Sequence, residues 1–133
     1  MNEELTHLQT FHGHLGPYVV LGYRMGLIAN QHLGDDPFCK SAKVFTEENP
    51  PMSCAVDGIQ ISSGCTLGKA NIEIISDRNL KAVFKDESGK QIQIKLKESA
   101  QDEIQKNVTK ENLEGFAEEI FNRSDNRLFE III

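Results

Sequence analysis

A chain of 133 residues can bury one sizeable core but not two, which sets the expectation of a single domain over residues 1–133. With 39% hydrophobic and 26% charged residues it has the balance of a folded globular protein, which excludes a disordered or fibrous class. The formal net charge of −6 argues against a general nucleic-acid binder, because phosphate contacts need a basic surface.

The elements follow in chain order. Asn2 caps an expected helix from Glu3 to about His12, with Glu3 and Glu4 favoured by the dipole in the first turn and Leu5, Leu8 and Phe11 on one side. Gly13 fits the left-handed residue that ends such a helix. Pro17 suits the first turn of a second helix reaching about Leu33, where Gly34 and Asp35-Asp36-Pro37 stop it. That run cannot span a bilayer, because Arg24, Asn30, Gln31 and His32 interrupt it. Lys43 to Glu47 alternates as a half-exposed strand, and Asn49-Pro50-Pro51 turns the chain. Ser53 is the expected cap of a third helix from Cys54 to about Ile61, followed by the small-residue loop Ser63 to Lys69. Asn71–Ser76, Leu80–Asp86 and Gln91–Lys97 read as strands, the last two joined as a hairpin through Glu87 to Lys90. From Glu98 to about Arg123 the pattern is helical in two pieces divided near Asn107 to Lys110, with Leu113, Phe116, Ala117, Ile120 and Phe121 on the apolar side. Helices first, then a cluster of strands, then more helix indicate an α+β fold with a mainly antiparallel sheet.

Two features call for a partner surface. Gly22 and Gly26 lie one turn apart inside the second helix, where each costs about 1 kcal/mol relative to alanine. Close approach of the domain's own sheet, or of a helix across a dimer, would offset that cost. The apolar Leu128 to Ile133 tail needs cover as well, as a strand of its own domain or one exchanged with a second copy.

The chemistry concentrates in His12, His14 and Cys54. His12 and His14 flank Gly13 and converge only if that glycine breaks the helix; alone, they read more simply as core or capping histidines. Cys54, at the expected helix start, would have its thiol pKa lowered by the exposed amides and dipole, with Asp57 on the same face. A thiolate with neutral imidazoles suits zinc or another divalent transition metal, and Cys65 is a candidate fourth ligand, so the metal set is His12, His14, Cys54 and Cys65. A buried inert cysteine is the ordinary alternative. Gly64 to Asn71 is not a Walker A loop, having three residues between its glycines and Ala70 after the lysine, but its amides and Lys69 could wrap an anion. The alternative is a tight turn feeding the strand at Asn71.

Phe11 to Gly26 ("FHGHLGPYVVLGYRMG") and Cys54 to Asn71 ("CAVDGIQISSGCTLGKAN") together resemble the two signature blocks of FmdE, a family named for a component of formylmethanofuran dehydrogenase, in order and separation, and the resemblance covers about Leu5 to Lys97. It implies an α+β core domain and an intertwined homodimer in which the glycine stripe and apolar tail serve the partner. With no cysteine beyond Cys65, the chain resembles a core-only member without the C-terminal zinc finger that some members carry. Many members read His-x-His-x-Cys-Pro in the first block; here Gly16 precedes Pro17, which leaves an open site with room for water or a ligand.

Two functions from different classes follow. The first is a cytoplasmic metal-binding accessory protein, linked to one-carbon or methanogenesis metabolism, that serves a formylmethanofuran dehydrogenase or another metalloenzyme. His14 and Cys54 lead as its ligands, His12 and Cys65 help, and Asp57 orients a ligand or water. The second is a small enzyme with a Cys54 nucleophile, His12 or His14 as base, and Lys69 holding an anionic substrate. A purely structural dimer is a third reading. The acidic amino-terminal residues and the odd cysteine count set the cytoplasmic expectation, with reduced thiols, no membrane and no nucleic acid.

Overall fold

The computed structural model describes residues 2–133. The first helix, α1 (Glu3–His12), is capped as its sequence dictates: the Asn2 side chain accepts from the Leu5 amide at 2.9 Å, and Gly13 closes it at φ +102°. Leu5 and Leu8 are buried, but Phe11, expected beside them, is 59% exposed. The second, α2 (Pro17–Leu33), is the central element, apolar nearly all round and packed against a third helix, a fifth helix and the sheet.

The sheet holds β1 (Lys40–Thr46), β2 (Ile72–Ser76), β3 (Lys81–Asp86), β4 (Gln91–Leu96) and β5 (Phe129–Ile132), in the order β2-β1-β3-β4-β5. All pairs are antiparallel except β1–β2, whose strands run parallel with Ala42 opposite Ile72 and Thr46 opposite Ser76. That parallel pair requires a crossover, which a 3-10 turn (Met52–Cys54) and α3 (Ala55–Ser63) supply. The fold is therefore α+β with a mainly antiparallel sheet. The apolar tail is taken up in its own sheet: β5 lines β4 with Phe129 opposite Leu96 and Ile132 opposite Gln93.

The glycines of α2 serve neither the sheet nor a second copy. A Cβ at Gly22 would stand 1.9 Å from the Ala55 carbonyl oxygen, and one at Gly26 would stand 1.8 Å from Ser62 Oγ, so both make way for α3 of the same chain. Gly58 answers from the other side, where a Cβ would lie 2.0 Å from the Val19 carbonyl oxygen. This three-glycine seam lets two helix backbones touch, and it fixes where the first turn of α3 stands relative to the start of α2.

The remaining helices, α4 (Glu98–Asn107), α5 (Leu113–Asn122) and the short α6 (Asp125–Leu128), form a second arm. α4 buries only Ala100 and Ile104. Arg123, nearly buried, holds Glu103 of α4 through both guanidinium nitrogens at 2.8 and 3.1 Å and reaches Glu119 at 2.5 Å. Arg24 of α2 donates to the carbonyls of Ile120 and Phe121 at 2.9 and 3.0 Å and pairs with Asp125, tying the end of α5 to the core.

Candidate metal and ligand site

The break at Gly13 does bring the imidazoles together. The His12 and His14 rings meet edge to face with centroids 4.8 Å apart. His12 Nδ1 lies 2.6 Å from Asp57 Oδ2, a contact between the end of α1 and the first turn of α3. With Nδ1–H donated to a carboxylate, the other ring nitrogen of His12 carries a free lone pair, the arrangement that metal-binding histidines use. His14 is exposed, and with the half-buried Cys54 it lines a cavity of about 90 Å³ that Pro17, Pro51 and Leu113 help to close. Position 16 belongs to the same wall, since a Cβ on Gly16 would stand 3.6 Å from His14 Cε1 and from Leu113 Cδ1, in ordinary contact.

The expected cap at Ser53 does not form. Pro51 begins the 3-10 turn, Ser53 sits inside it with no side-chain cap, and Cys54 continues into α3 with helical φ and ψ, its amide bonded to the Pro51 carbonyl at 3.2 Å. The expectation of a lowered thiol pKa is therefore overturned. Burial pushes the Cys54 thiol up first and the Asp57 carboxylate pushes it further, against a weaker backbone hydrogen bond that lowers it.

Cys65 does not reach this cavity. It lies just past the end of α3, and the nine residues of that helix, about 14 Å at 1.5 Å each, separate it from Cys54. It is fully buried, its thiol raised chiefly by burial, as for an inert core cysteine. Lys69 stands at that far end too, bonded to Thr66 Oγ1 at 3.1 Å and 5.5 Å from the centre of the Phe38 ring. It therefore cannot hold a substrate over Cys54. The Gly64 to Asn71 loop spends its amides on itself. Thr66 donates to Asn71 Oδ1, Leu67 to Gln60 Oε1, Lys69 to Thr66 Oγ1 and Ala70 to the Leu67 carbonyl, which makes it a tied turn and no anion cradle. Asn71 also donates to the carbonyls of Pro37 and Lys40, which pins the entry to β2.

The cavity beside the histidines has a larger neighbour of about 350 Å³, which shares Pro17, Tyr18, Pro51 and Leu113 with it as walls. Neither Tyr18 nor Leu113 is nominated by the sequence. Tyr18 stands directly after the "HGHLGP" turn, and that position was a usable signal. Leu113 has none, because nothing in its own neighbourhood marks a residue that reaches the site from α5. Among the described residues no three His, Cys, Asp or Glu side chains stand close enough to enclose a metal ion. The donors present, His14, Cys54 and the lone pair of His12, fit an open site and not a closed tetrahedral one.

Comparison with known proteins bears directly on this arrangement. The model of the family described as "FmdE, Molybdenum formylmethanofuran dehydrogenase operon" matches residues 11–131. The chain belongs to the FmdE family. Its match takes in both sequence blocks and the α4–α5 arm. An FmdE-like protein of a tungsten formylmethanofuran dehydrogenase, from Syntrophus aciditrophicus, shares the fold, with a TM-score of 0.69 at 17% identity over 98% of this chain and 69% of that one. A curated protein from Archaeoglobus fulgidus, described as a probable S-adenosyl-L-methionine-binding protein, is 29% identical over 122 residues. That match covers 90% of this chain but only about a third of the relative, 32% of its length.

Proposed function

We propose that this FmdE-family chain is a metal-binding accessory protein that takes one divalent transition ion, zinc first among them, at His14 and Cys54. His12, oriented by Asp57, is the third donor, and the remaining positions belong to water or to a group of the partner enzyme. The observation that carries this reading is the His12–Asp57 pair beside two donors that line one small cavity. A bound ion would stabilise the thiolate that burial disfavours, since coordination displaces the thiol proton. The partner proposed is a formylmethanofuran dehydrogenase or another metalloenzyme of one-carbon metabolism, met by a cytoplasmic homodimer. The S-adenosylmethionine binding named for the Archaeoglobus relative is not carried over, because two thirds of that protein lie outside the match.

The test is metal analysis and zinc titration of protein purified without chelator. The expected result is about one ion per chain, lost in Cys54→Ser and in His14→Ala. Stoichiometric metal retained by both variants would remove these ligands. A gain-of-function arm sharpens the test. Gly16 has extended φ and ψ that any residue adopts and open contact distance to His14, so Gly16→Cys adds a thiolate and tightens zinc about tenfold or more.

A further inference from the structure

The larger cavity has properties that metal binding does not use. Its body is apolar, formed by Met52, Ile104, Val108 and Leu113, and its volume of about 350 Å³ lies at the small end of the roughly 300–1,000 Å³ typical of ligand sites. The polar groups are few and placed apart. Glu47 and Gln105 stand exposed at the mouth, while Tyr18, 5% exposed, stands between this cavity and the one at His14 and Cys54. Among the described residues the Tyr18 hydroxyl has no hydrogen-bond partner, and Glu47 is close enough to act on its ionisation. A buried phenol without a partner is costly in a finished core, and it is useful where an incoming molecule supplies the bond. Glu47 is the only charged residue of this wall, Glu48 follows it, and the protein as a whole is acidic, so the field at the mouth favours a cation.

We infer that the cleft between α4, α5 and the β1–α3 connection binds a small organic cation, an apolar body carrying a protonated amine or comparable positive group that meets Glu47 while a polar atom bonds Tyr18. The shared wall then sets one end of that molecule beside the His14–Cys54 cavity. The inference does not rest on a metal, because none of Tyr18, Glu47, Ile104, Val108 or Leu113 is among the proposed ligands.

Methyl NMR of the full chain tests it, in the presence of a chelator, with 2-phenylethylammonium and its anionic counterpart 3-phenylpropionate as probes. The expected result is saturable shifts at Met52, Ile104, Val108 and Leu113 with the cation, and binding of the anion weaker by about tenfold. Glu47→Gln is expected to remove that preference, and Leu113→Trp or the more peripheral Val108→Phe to abolish binding by filling the cleft. Absence of saturable cavity shifts with either probe would overturn the site. Equal affinity for the two probes, or a preference that persists in Glu47→Gln, would overturn the ligand class. Since chelator is present throughout, failure here leaves the metal proposal standing, and loss of metal in Cys54→Ser leaves this one standing.

Discussion

The α2–α3 seam and the α4–α5 arm face the same two cavities but are built to opposite tolerances. In the seam, Gly22, Gly26 and Gly58 bring backbone against backbone, and a single methyl finds no space. In the arm, α4 is anchored by two buried side chains and one arginine, Leu113 is half-exposed, and Gly115 faces open space. The donors that must keep a fixed geometry, His12 through Asp57 and Cys54 at the head of α3, stand on the rigid side. The wall that would have to accommodate a ligand stands on the tolerant one. Rigidity has been placed where coordination needs it, and slack where fit needs it.

The largest effect expected from that contrast is at Gly58. Gly58→Ala drives a Cβ into the Val19 carbonyl at 2.0 Å and the Tyr23 nitrogen at 2.5 Å, and we expect a loss of about 3 kcal/mol or more in chemical denaturation. A variant as stable as the natural chain would show that the seam can yield, and the contrast would fail. Gly115→Ala should do the opposite. A Cβ there meets nothing within 4 Å and the residue lies inside α5, so the gain is about 0.5–1 kcal/mol from helix propensity. Destabilisation would mean that the arm is packed as tightly as the seam.

The smallest effect is kinetic. The Cys54 thiol titrates above the ordinary cysteine value of 9.0, so at pH 8 it is almost wholly protonated and should react with a disulfide reagent about tenfold more slowly than the same thiol in the unfolded chain. The rate should rise with pH through and beyond 9. In a Cys39→Ser background, Asp57→Asn should speed the reaction a few-fold, because it removes the second cause of the shift and leaves burial, the first. A rate independent of position 57 would separate Asp57 from the thiol and leave it paired with His12 alone.

How much of this the amino-acid order disclosed differs between the two regions as well. Helix ends were legible where one residue dictates them: Asn2, Gly13, Pro17 and Gly34 act through bonds and dihedrals that span a few neighbours. The alternation of β4 and the apolar side of α5 were legible for the same reason. What failed was reasoning about long-range partners. Gly22 and Gly26 announce a close approach but not to what, and the answer, α3, lies some thirty residues on. Ser53 has the chemistry of a cap, yet the chain reaches α3 through a 3-10 turn that starts at Pro51, and local propensity yields to that path. Phe11 carries the right period to be buried, and no neighbour comes to cover it. The site divides in the same way. His12, His14 and Cys54 could be nominated by residue type, and Asp57 by helical spacing. Cys65 and Lys69 were nominated by type too, and one helix length removes them. Leu113 and Glu47 are ordinary residues that only the fold makes neighbours.

The clasp at Arg24 has a mechanical corollary. It grips the carboxyl end of α5, whereas Leu113 stands at the opposite end, so the helix is a lever pivoted at one extremity. Ten residues give it a span of about 15 Å, and a tilt of only about 5° at the pivot would sweep Leu113 by roughly 1.3 Å. An ångström at that tip widens or narrows the passage between the two chambers, and whatever occupies one would be felt in the other without any rearrangement of the sheet.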